Sequence, residues 1–327
     1  MITLLRPLRF FFCALLSLPP LCQELAAQGR PQLSNLQKDL MEYVGNGVAV
    51  PACGVCFEAA GRYAERKKAA ALAEKTRGMS LVKAGVYWIG AEPGKGQADE
   101  FPRHAVRLDA FYIDNREATM GEYQAFVKET GAHHPEWSKP GGKFNIETGR
   151  EKYYRRLESF IKNCRPCPVF GVLWEDAAAY CLAKKKRLPT EAEWEAAAAD
   201  GKAYKFGFGE SDSDYGKYGW YEENSGGVPH PVGAKTPGRY GLYDMHGNVW
   251  EWTSDFYERG YYARAEQSNP KGPAAGKEHV IRGGSWDSGS DAGAVTNRGS
   301  YDKANDDIGF RCVLPASETE QGAAAGD

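Results

Sequence analysis

The chain has 327 residues, a formal charge of −2 and an ordinary share of hydrophobic residues. That balance lacks the basic footprint of a nucleic-acid binder, and the length suits one large domain or two modest ones. With 38 glycines, 18 tyrosines and 8 tryptophans it reads as a loop-rich fold whose core leans on aromatic rings.

Residues 1–27 place Arg6 and Arg9 ahead of an apolar run, Phe10 to Leu18, and a Leu25-Ala26-Ala27 end. Basic, apolar and small-residue segments in that order predict a secretory signal peptide, and therefore an exported protein, periplasmic or extracellular. The apolar run is too short to span a bilayer as a helix, and the sequence shows no other transmembrane segment. Cys13 and Cys22 fall in this leader, leaving Cys53, Cys56, Cys164, Cys167, Cys181 and Cys312. An even number in an exported chain favours disulfides. For the pairs Cys53–Cys56 and Cys164–Cys167, a zinc site or a redox motif stays open beside the disulfide reading.

Residues 28–78 form an N-terminal segment containing one CxxC and a helix over Glu58–Lys75, rich in alanine, lysine and glutamate. The main domain is expected over residues 79–317, and residues 318–327 are a small, polar, disordered tail. Within the domain, Leu81–Ile89 and Val106–Ile113 read as strands. Met120–Lys128 reads as a helix with Tyr123, Phe126 and Val127 at helical spacing. Residues 131–163 are a polar insertion in which His133 and His134 have no third partner at ligand spacing. Trp174–Lys185 is a helix with Ala177, Ala178, Cys181 and Leu182 on one face. In the next helix Thr190 and Glu193 form a capping box behind Pro189, and Trp194 points inward.

Gly241–Phe256, GLYDMHGNVWEWTSDF, is the densest stretch of the chain. Asp244, Glu251 and glycine-turned backbone supply hard oxygen atoms a few residues apart, which suits calcium with its six to eight loosely arranged oxygens. The other reading is a turn with buried tryptophans and solvated acids. Together with Lys186–Glu195 (KRLPTEAEWE), Ile281–Trp286 (IRGGSW) and Ile308–Cys312 (IGFRC), this stretch resembles the formylglycine-generating enzyme, or sulfatase-modifying factor, superfamily.

The resemblance implies an α+β fold of the formylglycine-generating-enzyme type, a C-type-lectin-like variant with little regular secondary structure. It implies a structural calcium held by Asp244, the carbonyls of Gly247 and Val249, and Glu251. It also implies a disulfide between Cys181 and Cys312. In members that make formylglycine, two cysteines after the GGS motif hold copper(I). The first of those positions falls here on Ser288 and the second near Gly293, neither of which suits that soft ion, so copper is not expected. What remains of that cleft is Ser285, Trp286, Asp287, Ser288, Asp291, Asn297 and Arg298, a groove for a peptide, glycan or partner protein, or else a solvated loop beside a buried arginine. Two functions follow from the resemblance: a non-catalytic binding or accessory/maturation factor, or a periplasmic oxidoreductase or tailoring enzyme of the siderophore-maturation type.

Overall fold

The computed structural model describes residues 54–135, 163–199, 201–202 and 204–317. The expected signal peptide, Cys53, most of the expected insertion after Pro135 and the expected tail lie outside them. The chain divides into two compact units, residues 1–71 and 72–327. Helix α1 (Gly54–Lys75) leaves most of its described side chains, Arg62 and residues 65–75, exposed, as its thin apolar stripe predicts. Among the described residues no helix is long and apolar enough to cross a membrane.

Each of the two expected strands is in fact two. β1 (Met79–Val82) and β2 (Gly85–Ile89) replace the first, β3 (His104–Leu108) and β4 (Phe111–Asp114) the second. The cause is a change of partner. β2 pairs antiparallel with β3, whereas β1 pairs with β4 in a different sheet. At the break, the Asp109 N–H leaves the ladder and donates to Asn269 Oδ1 at 2.9 Å.

Helix α2 (Met120–Thr130) starts at a Thr119/Glu122 capping box and stops at Gly131 in the left-handed conformation. Helix α3 (Trp174–Ala183) ends short of the expected Lys185, because that residue takes a positive φ of 57°. Ala177 and Cys181 are buried as expected, but Leu182 is 74% exposed and does not share their environment. Helix α4 (Glu191–Ala198) has the expected Thr190/Glu193 box, and all eight of its residues are buried.

β5 (Trp250–Phe256) runs antiparallel to β6 (His279–Arg282) and parallel to the short β8 (Ile308–Gly309). β7 (Gly299–Tyr301) completes that sheet beyond β6, and β9 (Val313–Pro315) pairs with β4. Glu251 therefore lies between Arg282 on one strand and Gly309 on the other. α4 packs against β5 and β6 through Trp194, which is fully buried. The four sequence blocks quoted above thus meet in one place.

Candidate functional site

The loop before β5 is bent by four residues with positive φ: Gly241 at 73°, Asp244 at 57°, Gly247 at 101° and Asn248 at 66°. Only glycine fits at 247, since a Cβ there would run into the Trp220 carbonyl. The bend turns the Asn248 side chain inward, where its Nδ2 donates to Glu117 Oε2 at 2.7 Å and its Oδ1 accepts from the His230 N–H at 2.9 Å. Glu117 also accepts from the Val249 N–H through Oε1 at 3.2 Å. This glutamate was not among the site residues expected above. The available signal was an acid standing between a buried strand and a capped helix.

Glu251 has no exposed surface. Arg311 grips it with two hydrogen bonds, Nη2 to Oε1 at 2.6 Å and Nε to Oε2 at 2.7 Å, and the Trp194 indole donates to Oε2 at 2.7 Å. A carboxylate has about four acceptor positions, so one remains at Oε1. Asp244, 2% exposed, accepts from the Gly233 N–H through Oδ2 at 2.6 Å, while its Oδ1 is buried without a hydrogen-bond donor. Burial pushes the Asp244 carboxyl up to about 6, and burial with the neighbouring Asp244 and Glu251 charges holds Glu117 well above the usual carboxylate range. Three carboxylates around one guanidinium, with one oxygen orphaned, fit a hard cation. Among the described residues no three His, Cys, Asp or Glu side chains form a metal cluster by themselves.

A second loop, residues 283–293, is bonded to the first. The Gly247 N–H donates to the Gly283 carbonyl at 2.7 Å, and the Trp286 N–H to that of Asn248 at 2.8 Å. Ser285 Oγ donates to Asp307 Oδ2 at 2.9 Å and lies 2.9 Å from Ser288 Oγ, which leaves Ser288 as the donor to Ser285. Gly293 abuts Tyr215. A Cβ on that glycine would collide with the tyrosine hydroxyl. On its other side the Gly293 carbonyl is 2.8 Å from Nδ1 of the buried His246, whose Nε2 accepts from the Gly207 N–H at 3.2 Å. Those partners fix the neutral tautomer, and burial pushes this imidazole down to about 4.

The expected groove does not hold together as one surface. Trp286 is 1% exposed and packs on Met120, Cys167, Phe170 and Val249, so it is core. Arg298 is buried as well. It makes a two-point pair with Glu191, at 2.7 and 2.9 Å, beside the Arg282–Glu195 pair. A guanidinium so occupied has no face left for a ligand. Ser285, Asp287 and Ser288 stay together on the Asp307 side. Asp291 and Asn297 instead line a cleft of about 400 Å³, with Trp88, Arg103, Tyr204 and Glu210 among its other walls. Trp88 is 59% exposed, and the Arg103 guanidinium covers its ring from 5.2 Å while pairing with Glu92. Three of the cleft's cations are tied to acids: Arg103 to Glu92, Lys95 to Glu210 at 3.8 Å, and Lys205 to Asp212 and Asp291 at 2.8 and 2.7 Å. Trp88 was missed because its strand exposes Val86 and Trp88 and turns Tyr87 partly inward, against the hydrophobic alternation.

Cys181 and Cys312 form a disulfide with Cα atoms 5.7 Å apart, and Cys164 and Cys167 form another at 5.4 Å. Cys53 lies outside the described residues. His133 hydrogen-bonds Asp176 at 3.2 Å, on an exposed edge.

The sulfatase-modifying factor enzyme 1-like domain family matches residues 64–316. The formylglycine-generating enzyme of Streptomyces coelicolor is 34% identical over 302 residues, covering 78% of this chain and 95% of that relative. The mouse inactive C-alpha-formylglycine-generating enzyme 2 is 30% identical over 284 residues, covering 74% and 87%. Among solved structures, PvdO from Pseudomonas aeruginosa superposes with a TM-score of 0.60 at 26% identity, covering 72% of this chain and 93% of that one. Treponema denticola variable protein 1 gives 0.59 at 26% identity, covering 72% and 94%. The fold is that of the formylglycine-generating enzymes, and the chain belongs to the sulfatase-modifying factor family.

Proposed function

We propose that this protein is an exported, calcium-stabilised member of the family that binds a ligand or acts as an accessory or maturation factor, and is not a copper-dependent formylglycine oxidase. One observation carries the reading. At the two positions where formylglycine-generating members place copper thiolates, Ser288 is bonded into a hydroxyl chain to Asp307, and Tyr215 fills the space beside Gly293. Neither arrangement offers a soft sulfur ligand. Calcium would be held by Asp244 Oδ1, the remaining position on Glu251 Oε1 and the carbonyls of Gly247 and Val249, and would supply the charge that three buried carboxylates call for.

The ligand site is the cleft at Asp291 and Asn297. Its exposed indole, fixed from behind by Arg103, and its paired charges suit a peptide, a glycan or a segment of a partner protein. The test has two arms. Purified protein given copper, oxygen and a Cys-x-Pro-x-Arg peptide should produce no aldehyde by mass spectrometry, and aldehyde above a no-protein control would overturn the reading. A peptide and glycan array should give a ligand whose affinity falls about tenfold or more with Trp88→Ala, as for a central aromatic contact.

A second reading, the tailoring enzyme, is favoured by the Ser288–Ser285–Asp307 chain, since a carboxylate behind two hydroxyls can take up a proton. A redox metal retained through purification and found by elemental analysis would favour it.

A further inference from the structure

The disulfides of the described residues differ in kind. Cys181 and Cys312 are both fully buried, in one apolar cluster with Tyr123, Tyr180 and Phe310, and their bond joins segments 131 residues apart. Cys164 and Cys167 are three residues apart, and their environments are unequal. Cys167 is fully buried beside Met120, Phe170 and Trp286, whereas Cys164 is only partly covered and is followed by exposed Arg165 and Pro166.

The loop that carries this pair is held independently of its sulfurs. The carbonyls of Arg165, Pro166 and Cys167 accept from the N–H groups of Gly121, Val232 and Met120 at 3.0, 3.0 and 2.8 Å. Gly121 allows the close approach, because a Cβ there would sit 3.2 Å from the Arg165 carbonyl oxygen. Opening the S–S bond therefore leaves the backbone clamped, with the two sulfurs still facing each other. A bond that closes so short a loop also contributes little to holding the chain together, unlike the long-range Cys181–Cys312 bond.

We propose that Cys164–Cys167 is a thiol–disulfide exchange site that takes an electron pair from a dithiol client. Attack on a disulfide runs in line with the S–S bond. With Cys167 at the buried end, the open approach is to Cys164. A client thiolate attacks Cys164 Sγ, a client–Cys164 disulfide forms, and the Cys164–Cys167 bond breaks. Cys167 leaves with the electron pair and takes a proton from solvent, replacing the one the client thiol lost. The client's second thiolate then attacks its own sulfur in the mixed disulfide. Cys164 leaves beside exposed Arg165, whose cation favours a thiolate, and is protonated. The client ends as a disulfide and this protein as a dithiol, two electrons and two protons having changed hands.

The folded, exported chain is tested by timed reduction with dithiothreitol, alkylation and peptide-resolved mass spectrometry, which separates these cysteines from Cys53 and Cys56. Cys164 and Cys167 are expected to label at least about tenfold faster than Cys181 and Cys312, as exposure governs exchange rate. Equal protection of the two disulfides overturns the proposal. Cys167→Ser, with its Cys164 thiol first oxidised to a mixed disulfide by dithiobis(nitrobenzoate), should then react with a single-cysteine peptide, whose thiolate displaces thionitrobenzoate and stays trapped at Cys164. Cys164→Ser should neither take up the reagent nor trap the peptide at the buried Cys167. Equal trapping by both variants, or trapping by neither with circular dichroism showing them folded, overturns it too. If a variant does not fold, the wild-type labelling rates and oxidation of the dithiol peptide by wild-type protein decide alone.

Discussion

The loop at 241–251 and the loop at 283–293 are bonded to each other and bent by similar positive-φ positions, yet they carry their polar groups differently. In the first loop, Asp244, Asn248 and Glu251 are buried, and Asn248 and Glu251 hold several partners each. In the second, Ser288 is partly open, Asp291 is exposed, and Gly293 has a tyrosine against its Cα. A polar group wired into the core cannot change without leaving a partner stranded, whereas one at the edge can. The first loop therefore keeps every chemical group the family resemblance asks of it. The second keeps the backbone and lacks the thiols.

The strongest way to break this contrast is Glu251→Ala. It strands the buried Arg311 guanidinium, and removing one partner of such a pair costs about 3–5 kcal/mol. Urea denaturation should show a loss of that size, against less than about 0.5 kcal/mol for Asp291→Ala at the surface. Similar losses would mean that burial does not distinguish the loops.

Asp255, on β5 beyond the first loop, shows burial without a cation. Burial foremost, then the charge of Glu191, pushes its carboxyl up to about 7. The folded state thus holds this proton where the unfolded chain has released it. The resulting stability is present below the unfolded value near 4 and is lost as pH rises to about 7, with a limiting slope of about 1.4 kcal/mol per pH unit. Asp255→Asn keeps an acceptor for the Glu191 N–H and should flatten that slope in a series of melting curves. A slope unchanged by the substitution would assign it to other groups.

Calcium sharpens the comparison next. A ligand that binds only the folded chain, at a hundredfold excess over its Kd, adds about 2.7 kcal/mol. Chelation should lower the melting temperature of the wild type and leave Asp244→Gly, which takes the same left-handed φ but has no side-chain oxygen, nearly unmoved. A chelator effect of equal size in both proteins would remove Asp244 from the site.

What could be read from the chain follows the range of the interaction. The Thr190/Glu193 box spans three residues, and its sequence signature is complete. The Cys181–Cys312 disulfide came with the family pattern. Trp286 was misplaced because its burial depends on Met120, Cys167, Phe170 and Val249, from three other stretches. Arg298 was misplaced because its partner Glu191 lies 107 residues away. The division of each early strand into two likewise depends on which distant strand lies alongside.

The smallest effects belong to the second loop itself, where restoring the family's cysteines asks whether composition alone separates it from an oxidase. Ser288→Cys replaces one partly open, hydrogen-bonded hydroxyl by a thiol of similar size, so its cost should lie within about 1 kcal/mol. Gly293→Cys is different, since its Cβ collides with the Tyr215 ring and hydroxyl. Overpacking of that kind costs about 1–3 kcal/mol and turns the new thiol away from its neighbour or displaces the tyrosine. The double variant should therefore bind copper(I) poorly in competition with a colorimetric chelator. Adding Tyr215→Ala should raise its affinity by making room for the second thiolate. Tight copper binding by the double variant with Tyr215 in place would show that the tyrosine yields easily, and that only the two missing sulfurs separate this loop from a copper site.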